Sequence, residues 1–164
     1  MKKILILCFL AASCSHQKNV SQKEIETYCQ DLNVLYQKIN ATTSNIINIK
    51  TTRTAKGGAY VRQEAVNCLN GICEIKDDPT HPMLKYEPKS PDSDKNGYVA
   101  YPNINLIQEE ADRDRWSRVY ETVIANSPVP ENFFFKDKRA ANCFKKYSAL
   151  KEALDYSEYL GREL

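Results

Sequence analysis

Tyr86-Glu87-Pro88-Lys89-Ser90-Pro91-Asp92-Ser93-Asp94-Lys95-Asn96-Gly97-Tyr98-Val99-Ala100-Tyr101-Pro102-Asn103-Ile104-Asn105 joins a turn cluster, a strand and a helix start in one run. Lys85 to Gly97 is rich in Pro, Ser, Asp and Gly and reads as loop. Tyr98 to Tyr101 is a short edge-like strand, ended by Pro102, which has no amide hydrogen for a ladder. Asn105 is a helix cap, with Gln108 three residues on. The run therefore closes a β-rich middle and opens a helix.

Working back from it, Met83 to Tyr86 is a short strand and Asp78-Pro79-Thr80-His81-Pro82 a turn. Ala59 to Val66 alternates weakly and reads as a strand. It leads into Asn67-Cys68-Leu69-Asn70-Gly71-Ile72-Cys73-Glu74, where Asn70-Gly71 is a preferred two-residue hairpin turn. Leu69 and Ile72 then flank the turn as a hydrogen-bonded pair. Cys68 and Cys73 fall on the next, non-hydrogen-bonded pair, with Cα atoms about 4.5 Å apart, within reach of a disulfide. Thr51 to Gly58 is a loop broken by Gly57-Gly58.

Ser21 to Ile49 is the first helix, opened by a Ser21–Glu24 capping box. Ile25, Tyr28, Leu32, Leu35, Ile39, Thr42, Ile46 and Ile49 follow a 3,4 spacing, a heptad seam that calls for a partner helix. Thr42 weakens one layer. The second helix runs from Asn105 to about Asn126 and stops before Pro128 and Pro130. Glu109–Arg113 and Asp114–Arg118 are spaced as i,i+4 pairs. Glu110 to Arg115 is charged nearly all round and reads as solvated or at a polar contact, whereas Trp116, Val119, Tyr120 and Val123 make an apolar face. Phe133-Phe134-Phe135 precedes a third helix, about 136–160, with Ala140, Cys143, Tyr147, Leu150 and Leu154 as its stripe and Gly161 as its stop. The fold class is α+β: N- and C-terminal helices pairing as a coiled coil or bundle around a small hairpin-rich middle.

The front end is a lipoprotein signal. Lys2 and Lys3 are a short positive region, Ile4 to Ala12 is an apolar run too short to span a bilayer, and small residues precede Cys14. Leu10-Ala11-Ala12-Ser13-Cys14 looks like a lipobox. Lipidation of Cys14 allows stable anchoring in a membrane, and Ser15 after it, where an Asp could stand, implies the outer membrane by resemblance to other lipoproteins. Removing residues 1–14 from the 164 leaves 150 residues, one domain's worth. Lys+Arg falls from 23 to 21 against 21 Asp+Glu, so the mature charge is near zero and no basic footprint for nucleic acid remains. The organisation is signal peptide 1–14, N-terminal helix 15–50, β-rich domain 51–104 and C-terminal helices 105–164.

Beyond Cys8 and Cys14, the cysteines are Cys29, Cys68, Cys73 and Cys143. An even number in an exported chain suggests two disulfides, with three possible connectivities. If Cys68 joins Cys73, the remainder is Cys29–Cys143, which staples the first helix to the last. It closes a long loop, for which chain entropy gives about 4–5 kcal/mol before strain. Zinc is the competing use of four cysteines, but Cys-x-x-Cys is missing and no histidine is near.

Three fragments carry a family resemblance. Ile46 to Arg62 contains Asn48-Ile49-Lys50-Thr51-Thr52-Arg53-Thr54 followed by Gly57-Gly58-Ala59-Tyr60. The second fragment is the opening run, with Asp92, Asp94, Asn96, Gly97, Tyr98, Tyr101, Pro102 and Asn103. The third is Ser117-Arg118-Val119-Tyr120-Glu121. In this order and spacing they resemble the flagellar proximal-rod protein family FlgC, over roughly residues 35–124. The resemblance implies terminal helices paired around a β-rich domain. It also implies a mechanical, non-enzymatic role in the flagellar basal body, with other basal-body or periplasmic motor-associated proteins as partners and self-assembly possible. Subunits of the resembled family leave through the flagellum's own channel without a cleaved signal. This chain instead carries a signal and cysteines, and charges at Glu110, Asp112 and Arg113 where the family is apolar. It therefore reads as a periplasmic, outer-membrane-anchored relative working beside the rod. The alternative is an outer-membrane lipoprotein that binds a ligand or partner and has no flagellar role.

The remaining motifs are weak. Asp92-Ser93-Asp94-Lys95-Asn96-Gly97 matches the first half of a calcium loop, but position 12 is Asn103 instead of a bidentate Glu. It reads better as an Asx-rich turn. His81 has no nucleophile motif beside it, and Lys56-Gly57-Gly58 lacks the spacing of a phosphate loop. No catalytic residue, metal or cofactor is expected.

Overall fold

Ser21 opens the first helix with both halves of a capping box. Its hydroxyl accepts from the Glu24 amide at 3.2 Å, and the Glu24 carboxylate accepts from the Ser21 amide at 2.8 Å. The structure, a computed structural model, describes residues 20–127 and Cys143. Its elements are α1 (Gln22–Ile47), β1 (Gln63–Leu69), β2 (Ile72–Asp77), β3 (Met83–Tyr86), β4 (Tyr98–Tyr101) and α2 (Leu106–Ala125). Two helices flank two small antiparallel hairpins, an α+β arrangement. The signal with Cys14, the phenylalanine run and the third helix lie outside the described residues, Cys143 apart.

α1 and α2 lie antiparallel. Near one end Asn45 meets Glu109, further on the Lys38 ammonium sits 4.6 Å from the centre of the Trp116 ring, and at the other end Tyr28 bonds Ser127. Tyr28, Leu32, Leu35, Ile39 and Tyr120 form the buried cluster between them, with Tyr36, Trp116, Val123, Ile124 and Cys143 against it. Ile25 is buried as well. The expected seam departs from this face at its end. Ile46 and Ile49 are half-exposed, and Asn45 takes the buried place. The helix stops at Ile47, where Asn48 caps it, so Ile49 no longer follows helical spacing. On α2, Val119 is 40% exposed rather than inside. Trp116 and Tyr120 are one turn apart, Val123 and Ile124 continue their stripe, and Val119 points off it.

β1 begins at Gln63, four residues later than the weak alternation indicates. The Asn70-Gly71 turn has both residues at positive φ, +50 and +80, as a type I′ turn requires. Pairing runs Gln63↔Asp77, Glu64↔Lys76, Ala65↔Ile75 and Val66↔Glu74, then shifts before Leu69↔Ile72. Asn67 and Cys68 therefore both stand opposite Cys73, and the simple pairing of the two cysteines is replaced by a bulge. Asn67, at φ +49, supplies the left-handed residue. A one-residue slip exchanges the faces of a strand. Here it puts Ala65 on the same face as Cys73, and both are buried against Ala41 of α1.

β3 and β4 pair from Met83↔Tyr101 to Tyr86↔Tyr98. Val99 is buried on the inner face. Leu84, Tyr86 and Tyr98 are exposed on the other, with the Tyr86 and Tyr98 rings edge-to-face at 5.4 Å. Gly97 makes this possible: at φ +84, an added Cβ would lie 2.9 Å from the Tyr86 ring and 3.1 Å from Pro88.

Candidate functional site

The carboxamide of Asn45, wholly buried, uses its full hydrogen-bonding capacity. Its Nδ2 donates to the Gln63 carbonyl at 2.8 Å and to Glu109 Oε2 at 2.9 Å. Its Oδ1 accepts from the Gln63 amide at 2.9 Å and from the Tyr60 hydroxyl at 3.0 Å. One helical side chain thereby pairs with both backbone groups of the first β1 residue, as a neighbouring strand would.

Glu109 is 1% exposed and meets Arg62 Nε at 2.5 Å. Arg62 also pairs with Glu64 and, at 3.4 Å, with Asp78. The i,i+4 partner expected for Glu109, Arg113, bonds Asp114 instead, at 3.2 Å, and Arg115 pairs with Asp112 at 3.0 Å. Buried charge is costly unless paired and bonded, and the interior offers Glu109 two donors that the helix surface cannot. Burial opposes the charge on Arg62, but its bonds to Glu64 and Glu109 outweigh this and hold the cation firmly on. Burial and the nearby Glu109 and Asp77 charges push the Tyr60 hydroxyl above its ordinary range, so it stays a donor.

The family-motif residues come together in two places. Asp92 accepts from the Thr52 hydroxyl at 2.7 Å and pairs with Arg53 at 2.8 Å, while Arg53 also reaches the Pro91 carbonyl at 3.3 Å. The 51–58 loop is thus clamped to the 87–97 loop. Around this clamp Thr51 bonds Asn48, and Thr54 closes its own turn on Gly57 and Gly58. Asp94 Oδ1 accepts from the amides of Asn96 at 2.8 Å and Tyr98 at 2.9 Å, an Asx turn that sets the start of β4. Both carboxylates of the calcium-like hexapeptide are therefore occupied by protein donors. Among the described residues no group of three or more His, Cys, Asp or Glu is placed to hold a metal.

Tyr101 donates to Glu87 at 3.0 Å, and that bond raises its pKa. Pro102 is fully buried and Asn103 exposed. In the third fragment Tyr120 is fully buried and Ser117 bonds the Arg113 carbonyl at 2.9 Å, while Arg118 and Glu121 face solvent.

The β1–β2 tip rests on α1. Asn33 and Gln37 donate to the Gly71 carbonyl at 2.6 and 2.8 Å, and Gln37 accepts from the Cys73 amide at 3.0 Å. Gly71 is required at this contact, because a Cβ there would sit 3.0 Å from the Gln30 Cα. Cys68 and Cys73 are disulfide-bonded with Cα atoms 4.0 Å apart, and Cys29 is bonded to Cys143 with Cα atoms 6.0 Å apart. These contacts are structural in kind: they fix three segments against one another.

Sequence reasoning missed Asn45 and the role of Glu109, and it named Tyr60 and Arg62 only as the end of a family fragment. The available signal was small: Asn45 lies three residues after Thr42, one position before the apolar residue that the seam favours.

No family model matches the chain. It is similar to flagellar basal-body rod protein FlgC of Borreliella burgdorferi, with 36% identity over 119 residues covering 56% of this chain and 76% of that protein. Its similarity to the FlgC of Buchnera aphidicola from Acyrthosiphon pisum is 29% over 100 residues, covering 54% of this chain and 74% of the relative. For the FlgC of Escherichia coli O157:H7 it is 25% over 95 residues, covering 52% and 71%.

Proposed function

The chain belongs to the FlgC family of flagellar basal-body rod proteins, and from this we propose that it is a non-enzymatic structural component of the flagellar basal body, supporting motility. The observation that carries the reading is the 36% identity to a rod protein across 76% of that protein's length. The geometry supports it: the family motifs are spent on clamping loops and packing helices, as suits a part that bears load.

The finer reading is a periplasmic relative held beside the rod by a lipid on Cys14, in the outer membrane, with residues 1–14 removed. The signal-like front end ahead of Cys14 and the exported-type cysteines support it, as do the charges of α2 at Glu110, Asp112 and Arg113. Its partners are other basal-body or motor-associated proteins, and the chain is able to assemble with itself. Exposed motif residues such as Arg118 and Glu121 are the natural contacts.

Deleting the gene tests the coarse reading. Impaired swimming, together with co-purification of the protein with basal bodies, is expected; normal motility and flagellation would refute it. For the anchor, Cys14→Ala should move the protein out of the membrane fraction, and unchanged fractionation would rule the lipid out.

A further inference from the structure

The face that α1 turns to α2 is a ladder of apolar layers at Tyr28, Leu32, Leu35 and Ile39. Such layers say little about axial register, since Leu and Ile pack as well one heptad up or down. A single buried polar layer discriminates, because its hydrogen bonds form in one alignment only. Here that layer is Asn45–Glu109. The pair of contacts Asn45–Glu109 and Lys38–Trp116 shows the alignment: seven residues along α1 match seven along α2.

We propose that Asn45 and Glu109 are the specificity determinants of the helix pair. They select α2 of the same chain, in this register, over a slipped register and over the equally apolar α1 of a second copy. Sliding α2 by one heptad withdraws Glu109 from Asn45 and Arg62 together. An Asn45 Nδ2 hydrogen then loses its acceptor and a side chain only 17% exposed, that of Arg62, loses its most buried partner. Pairing two α1 helices could bond Asn45 to its own counterpart, but it strips the buried Glu109 of its Asn45 donor and breaks the layer that joins Glu109 to Arg62 in each chain. Arg62 makes the choice more exacting by joining the same layer to β1, so a helix slip would also drag the hairpin lead out of place.

The test separates selection from plain stabilisation. Replacing a buried ion pair by apolar residues of similar size is often neutral or stabilising, so Asn45→Leu, Arg62→Met and Glu109→Leu are combined in the full chain. Trp116 is the only tryptophan and lies in this interface, so its indole N–H gives one NMR cross-peak per register. The expected result is a cooperatively folded chain with a second indole cross-peak holding roughly a tenth of the intensity or more, and a dimer fraction in light scattering. A single cross-peak and a single monomeric species would overturn the proposal.

If the triple variant fails to fold, Asn45→Asp decides. It sets a carboxylate against Glu109 and should bring up the second cross-peak. Asn45→Asp combined with Glu109→Gln restores a donor opposite an acceptor and should remove it. One native cross-peak in Asn45→Asp with nothing but lower stability would likewise refute selection.

Discussion

Gln63 presents both its amide hydrogen and its carbonyl oxygen to the side chain of Asn45, at 2.9 and 2.8 Å. A helix thus completes the first rung of a sheet. Asn45→Ala removes four bonds and leaves the backbone of Gln63 and the Tyr60 hydroxyl short of partners. The expected loss is about 3 kcal/mol of unfolding free energy, read from urea titrations followed by circular dichroism.

Glu109→Gln keeps the shape and the bond to Asn45 but takes the charge from Arg62. Breaking a buried pair costs about 3–5 kcal/mol. Arg62 retains Glu64 and Asp78, so the loss should fall at or just below the lower end of that range, about 2–3 kcal/mol. An Arg62→Ala, Glu109→Gln double variant should be markedly non-additive, as a double-mutant cycle would show.

The Thr80 amide, then its hydroxyl, with Arg62 behind them, hold the Asp78 carboxyl below its ordinary range. A depressed folded pKa contributes stability above the unfolded pKa that is lost as pH falls through the folded one. Melting temperature should decline on acidification through the carboxylate range, and Asp78→Asn should flatten part of that slope. An unchanged slope in Asp78→Asn would contradict the assignment.

Gly97→Ala places a methyl 2.9 Å from the Tyr86 ring at φ +84. A cost of about 2 kcal/mol is expected, and aromatic NMR shifts should show the edge-to-face packing of Tyr86 on Tyr98 disrupted first. Gly57→Ala is the control for the left-handed φ alone, since no atom lies within 4 Å of a Cβ there.

The two disulfides should differ in weight. Cys68–Cys73 spans a separation of 5 residues and Cys29–Cys143 one of 114. Chain entropy assigns them about 2 and about 5 kcal/mol. Cys29→Ala, Cys143→Ala should therefore lower the melting temperature far more than Cys68→Ala, Cys73→Ala.

What the sequence made legible was local. Ser21 with Glu24, Asn105 with Gln108, and Asn70-Gly71 each state a cap or a turn within four residues, and the structure places them there. The apolar seam from Ile25 to Ile39 was legible for the same reason, being periodic. Glu109 was not, because its nearest candidate partner was Arg113, one turn away, while its actual partner Arg62 is 47 residues distant. Asn45 was hidden by Ile46 beside it. The bulge at Asn67 was hidden because Asn-Gly fixes a turn but not the strand pairing some residues before it. Of the motif residues, sequence distinguished the Asx turn at Asp94, but not that Asp92 reaches across to Thr52 and Arg53.

The attachment of β1–β2 to α1 has a mechanical consequence. Its side-chain bonds come from Asn33, Gln37, Lys38 and Asn45. Asn33 and Asn45 lie twelve residues apart, about 18 Å along the helix. A pull along the helix axis loads all four together, in shear, whereas a pull at the hairpin tip strips them one at a time. The same fastening is strong against tension carried along the helix and weak against a sideways pluck.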